Sequence, residues 1–167
     1  MQYIAVLALL LASVLADGQP QYYSYSPAVG SGSGVSYSLS GEGRITAIRV
    51  WDNNNGYIYG IQFRYGFIWS PLVGRKINNA QEIQLFDDEA IVQVSGKYAH
   101  YLQSVVFTTN RGRTLRAGQP SGHSFNMYAN HSKAELRLIS GRVHGGLTSI
   151  ATHWGVVYPA ANSTAEH

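Results

Sequence analysis

Six histidines, at 100, 123, 131, 144, 153 and 167, are the first residues of this chain that could bind a metal or carry a proton. None stands two or four positions from another, the spacing that puts two imidazoles on one face of a strand or a helix. No metal site is predicted. The absence of Cys removes disulfides, thiolate metal sites and Cys nucleophiles together. Gly30-Ser31-Gly32-Ser33-Gly34 carries the letters of a nucleophile elbow, but that motif needs a strand running into a helix, and no helical period follows it here. His153 beside Trp154 reads as a packed, hydrogen-bonded histidine. Neither an enzyme nor a cofactor is predicted, which leaves His, carboxylates, hydroxyls and the main chain as the groups available for recognition.

Charge gives a second candidate chemistry. Residues 17–89 hold five Lys or Arg against seven Asp or Glu, net −2, and residues 90–167 hold seven against two, net +5, which sum to the chain's +3. The basic half contains Lys97, Arg111, Arg113 and Arg116, with Arg111 and Arg113 flanking Gly112 in a predicted hairpin turn. Guanidinium forks suit sulfate and carboxylate groups, so these four residues are candidates for binding a polyanion. A net charge this small argues against nucleic acid.

The elements that must position such groups are strands. The 167 residues are 45% apolar and 13% charged, enough for a single core. Residues 1–16 carry no charged side chain and contain the apolar run Ile4–Ala12, about half of the ~20 residues a membrane span needs, so they read as a secretory signal. A secreted, extracellular protein without a membrane span is therefore expected. The sequons at Asn130 and Asn162 are candidate glycosylation sites in that setting. Residues 17–29, rich in Pro, Ser, Gly and Tyr, read as a flexible leader. Residues 30–159 form the domain and 160–167 a polar tail.

Within the domain, apolar residues alternate in short runs separated by Gly or Asn: 35–39, 45–50, 57–65, 83–86, 91–94, 102–107, 136–139 and 147–158. An apolar residue followed by Ser-Gly recurs ahead of a matching strand start three times. Leu39-Ser40-Gly41 precedes Ile45-Thr46-Ala47-Ile48, Val94-Ser95-Gly96 precedes Leu102-Gln103-Ser104-Val105, and Ile139-Ser140-Gly141 precedes Leu147-Thr148-Ser149-Ile150. Three copies predict three sheet units around a shared axis, in an all-β domain that is either a β-prism or a β-trefoil.

Gly30–Gly34, Gly43–Val50, Arg64-Tyr65-Gly66, Val94–Tyr98, Ser124-Phe125-Asn126, Ile139–Arg142 and His153-Trp154 together resemble the animal jacalin-related lectins of the zymogen granule membrane protein 16 group. The resemblance implies a β-prism I fold of three Greek-key sheets around a pseudo-threefold axis, secretion, and a glycan held by three loops at one end of the prism. Carried onto this chain, those loops are Gly32, Ser33 and Gly34; Ala99, His100 and Tyr101; and Gly145, Gly146, Leu147 and Thr148. Three family side chains are missing here. The basic residue after the Gly loop is Val35, the recognition-loop Lys is Ala99, and the Asp of the third loop is Thr148. No Asp follows Asp88, so none can be displaced into that place. A hydroxyl in place of a carboxylate gives up charge-assisted hydrogen bonds of roughly 1.5–3 kcal/mol each, which weakens simple mannose binding. Two readings follow: a secreted, non-catalytic lectin, or a granule or mucus packaging protein that binds sulfated polysaccharides through its basic residues.

Overall fold

The computed structural model describes residues 22–53 and 56–157; the expected signal over 1–16, the polar tail and the Asn162 sequon lie outside them. Alternating runs become strands throughout. In chain order these are β1 (Tyr23–Gly30), β2 (Val35–Leu39), β3 (Ile45–Asp52), β4 (Ile58–Tyr65), β5 (Ile68–Trp69), β6 (Val73–Gly74), β7 (Gln81–Gln84), β8 (Ile91–Tyr98), β9 (Leu102–Thr109), β10 (Thr114–Gly118), β11 (His123–Tyr128), β12 (Ala134–Val143) and β13 (Leu147–Val156). No helix of the described residues is long and apolar enough to cross a membrane.

The strands form three sheets, ordered β1-β13-β12-β2, β10-β9-β8-β11 and β5-β4-β3-β7, with β6 also paired to β4. Each is built on a central antiparallel hairpin: β12–β13, β8–β9 and β3–β4. The second strands of these hairpins, β4, β9 and β13, touch one another pairwise around the axis. Ile61, Val105 and Ile150 occupy equivalent places on them with no exposed surface, and Phe63 meets Phe107 edge-to-face at 5.9 Å. This is the β-prism I arrangement, and a trefoil is excluded.

Two features repeat three times and fix the end of the prism called here the tip. Each central hairpin has a register shift just before its loop, at Trp51/Asp52, Lys97/Tyr98 and Arg142/Val143. Beside each shift, the neighbouring strand ends in a glycine at positive φ: Gly74, Gly118 and Gly30. A Cβ there would lie 2.0–2.1 Å from the carbonyl oxygens of Tyr59, Gln103 and Thr148 respectively, so only Gly admits the approach.

The repeat read from the sequence needs one correction. Leu102 and Leu147 start the second strand of their hairpins, whereas Ile45 starts the first strand of its own. The true third copy is Ile58-Tyr59-Gly60-Ile61. It escapes a Ser-Gly search because Val50 stands where Gly96 and Gly141 stand in the other hairpins.

The expected leader is also corrected, since from Tyr23 it is β1, paired with β13. Its Tyr and Ser residues alternate, and Pro27 is tolerated because β1 is an edge strand with a bulge between Ser26 and Val29. Trp154 Nε1 donates to Ser26 Oγ at 3.2 Å, and the half-buried His153 ring meets the Tyr23 hydroxyl at Nδ1 and Ser140 Oγ at Nε2. A neutral imidazole can serve both partners, as one donor and one acceptor. Burial holds His153 below its ordinary pKa of 6.5, so its contribution to stability is present above that value and is lost as the pH falls through the lower folded-state value. The urea midpoint should therefore drop between neutral pH and mildly acid pH, and His153→Gln should flatten that drop; an unchanged slope in the variant would refute the assignment.

Candidate carbohydrate-binding site

Three hairpin loops meet at the tip. The Ala99–Tyr101 turn is closed by Ala99 N–H donating to the Tyr101 carbonyl at 2.9 Å, and the His144–Gly146 turn by His144 N–H donating to the Gly146 carbonyl at 2.9 Å. Gly146 is buried against the Tyr57 ring, where a Cβ would lie 2.5 Å from a ring carbon. Tyr57 in turn stacks on Tyr101 with ring centroids 3.8 Å apart, and on Tyr59 at 4.3 Å. The Arg75 guanidinium caps this ladder, 4.7 Å from the Tyr59 ring. One aromatic column thus joins the tips of all three sheets.

The loop between β1 and β2 lies across these turns. Ser31 Oγ donates to the His100 carbonyl at 2.6 Å, and Ser33 Oγ lies 3.4 Å from His100 Nε2. Arg142 braces the same loop by donating to the Gly34 carbonyl at 3.0 Å. The loop and turns form a continuous surface on which Ser31, Gly34, Ala99, His100, His144 and Gly145 are exposed. Beside it, a cleft of about 360 Å³ is lined by Val35, Gly74, Arg75, Val143, His144 and Gly145.

The third loop differs from expectation in how its residues face. Leu147 is wholly buried in the core, and Thr148 is wholly buried as well. Thr148 Oγ1 donates to the Ser33 carbonyl at 2.5 Å, so the hydroxyl at the family Asp position ties the Gly loop to β13 and faces no solvent. A carboxylate does stand at the tip end of β3: Asp52 Oδ2 accepts the Gly118 N–H at 2.6 Å, linking two sheets. Glu135, the acid nearest in sequence to the third loop, is buried and paired with Arg44 at 3.1 Å. Sequence reading missed Ser31, Asp52, Tyr57, Tyr59 and Arg75. The correctly phased repeat would have found Tyr57 and Tyr59, because it places Asn53–Tyr57 opposite Ala99–Tyr101 and His144–Gly146.

Comparison with known proteins decides the family. The jacalin-like lectin domain pattern matches residues 26–153. The chain belongs to the jacalin-like lectin family. It is 44% identical to human zymogen granule membrane protein 16 over 164 residues, 96% of this chain and 97% of that one. Among solved structures, a prostate-specific WGA16 glycoprotein lectin superposes with a TM-score of 0.71 at 32% identity, over 81% of this chain and all of the other. Artocarpin complexed with Me-alpha-mannose shares the fold with a TM-score of 0.69 at 21% identity, over 80% of this chain and 97% of that one.

Two of the four basic residues singled out in this jacalin-like chain carry carboxylate partners. Arg111 and Arg113 do flank the predicted turn, where Gly112 has φ +76°, but both are paired with carboxylates, Arg111 with Asp88 and Arg113 with Glu89, each at 2.5 Å. Their guanidinium groups also stack on Phe86, each 4.8 Å from its ring. Lys97 donates to Ser124 Oγ at 2.7 Å. Arg116 is exposed on β10, on the outer face of the sheet that also carries Lys97. Of the four expected polyanion-binding residues, Lys97 and Arg116 are the two without a carboxylate partner among the described residues.

Proposed function

We propose that this protein is a secreted, non-catalytic lectin that holds a glycan at the prism tip, between the Gly30–Gly34 loop, the Ala99–Tyr101 turn and the His144–Thr148 segment. The convergence of these segments carries the reading: Ser31 and Ser33 contact His100, Thr148 contacts Ser33, and Gly146 contacts Tyr57. The exposed members supply hydroxyl, imidazole and main-chain groups, the several donors and acceptors a saccharide requires. Artocarpin, of the same fold, has been solved with Me-alpha-mannose. Here Thr148 offers no carboxylate, so affinity for a single mannose should be weak. Secretion fits the relationship to zymogen granule proteins, and the exposed Asn130 is the glycosylation candidate among the described residues.

A packaging role, with sulfated polysaccharides bound along Lys97 and Arg116, is the second reading, supported by those two cations sharing one open sheet face. A glycan array run on the mature chain at low and high salt separates the two. A tip lectin should retain neutral glycans at both salts. A polyanion binder should hold heparin-like chains at low salt alone, because counterion screening removes long-range attraction. No signal for any glycan would overturn the proposal.

A further inference from the structure

The seam between edge strands β1 and β11 holds a groove of about 550 Å³, larger than the tip cleft and outside the three loops. We propose that it is an extended subsite for a neutral oligosaccharide chain whose terminal residue sits at the tip; this rests on the lectin reading above.

Four observations carry it. First, the groove begins at the tip. Val29 and Tyr98 line it, and they immediately precede the Gly30–Gly34 loop and the Ala99–Tyr101 turn. From there it follows β1 back to Tyr25, about 13 Å at ~3.3 Å per strand residue, longer than one pyranose ring. Second, its walls offer what a pyranose chain needs. Tyr25 and Tyr128, 51% and 57% exposed, both line it and supply aromatic surface of the kind that packs on the apolar C–H groups of a sugar. Asn126 supplies amide donors, since its Oδ1 is already engaged by Gln93 Nε2 at 2.6 Å. Third, no Asp, Glu, Lys or Arg lines the groove; Lys97 stands beside it, with its Nζ held by Ser124 Oγ, so the groove itself offers hydroxyl, amide and aromatic groups, the chemistry of a neutral sugar chain. Fourth, a polypeptide strand fits poorly. The β1 edge is broken by Pro27, which has no N–H, and by the Ser26/Val29 bulge, so a regular ladder cannot extend along it.

Asn130, the glycosylation candidate, also lines the groove, so the test is calorimetry on the mature chain made without N-glycans, which leaves the groove open, using glucose, mannose and their linear oligomers up to the pentasaccharide. Affinity should rise at least about tenfold from monosaccharide to pentasaccharide, with no dependence on salt. Tyr25→Ala and Tyr128→Ala combined should remove the increment and leave monosaccharide affinity unchanged. Because Tyr25 also contacts the His153 ring, the unmutated chain provides a second readout. Its Tyr25, Asn126 and Tyr128 backbone amides should shift in NMR spectra with the pentasaccharide and stay still with the monosaccharide. Equal affinity along the series, an increment that survives both substitutions, or displacement of the pentasaccharide by an extended unstructured peptide would overturn the groove and leave the tip lectin standing. Failure of every sugar to bind would overturn both.

Discussion

Thr148→Asp should raise affinity for single hexoses by about tenfold or more while lowering stability by roughly 1–3 kcal/mol. Both effects come from one hydrogen bond. Thr148 Oγ1 donates to the Ser33 carbonyl, and the Thr148 carbonyl accepts the Gly32 N–H at 3.4 Å, so residue 148 clamps the Gly loop from both sides. An ionised Asp has no proton to donate. Its carboxylate would face the Ser33 carbonyl with like partial charge, and the Ser33 peptide would have to turn away. That turn costs stability. It also opens the floor of the tip and exposes a charged acceptor to sugar hydroxyls, where hydrogen bonds to an ion are about twice as strong as neutral ones.

Thr148→Val separates the two effects. It leaves the Ser33 carbonyl without its partner, costing a comparable 1–3 kcal/mol or so, but adds no acceptor, so hexose affinity should stay at the wild-type level. Urea denaturation and hexose titration calorimetry on both variants give the four numbers. A folded Thr148→Asp chain with no gain in hexose binding would mean that these loops are not the saccharide cradle.

How much of this was legible in the sequence depended on whether a residue's partner is local. Short apolar runs rich in β-branched and aromatic residues marked the central hairpins, because Leu102–Phe107 and Leu147–Val156 are largely buried. β11 was missed, and β10 was implied only by the hairpin turn predicted at Gly112, although both alternate too. Each has only two buried apolar residues, Leu115 and Ala117 or Phe125 and Met127, too few to stand out from loop composition. β1 was hidden by Pro27 and by inward positions filled with Ser. At the tip, the Gly loop and the two turns were found by carrying the family resemblance onto this chain, which needs only the local order of residues. The burial of Thr148 was not legible, since it depends on Ser33, 115 positions away. Nor was the pairing of Asp52 with Gly118, which crosses between sheets.

The Arg pair gives the second large effect. Arg113→Ala should destabilise the fold by about 2–3 kcal/mol, toward the lower end for a broken buried pair because the Arg113 side chain is itself 38% exposed. Its partner Glu89 has no exposed side-chain surface. Burial pushes the Glu89 carboxyl up, but hydrogen bonds from Thr109 Oγ1 and the Phe86 N–H, with the Arg113 charge, outweigh it and hold the group below its usual value of 4.5. Arg113 also donates to the Gln84 carbonyl, tying the β9–β10 turn to β7 in the next sheet. Removing it leaves a buried carboxylate with fewer partners and loosens one sheet from its neighbour. Glu89 stabilises the fold above pH 4.5, and this contribution is lost as the pH falls through its lower folded-state value. The penalty of Arg113→Ala should therefore shrink when denaturation is repeated in that acid range, where Glu89 becomes neutral. Arg111→Ala, whose partner Asp88 is 73% exposed, should change stability by less than about 1 kcal/mol. Binding to heparin-like chains should be reduced more by Lys97→Ala with Arg116→Ala than by either of these. The reverse order would return Arg111 and Arg113 to a binding role and make their carboxylate pairs a state that polyanions compete away.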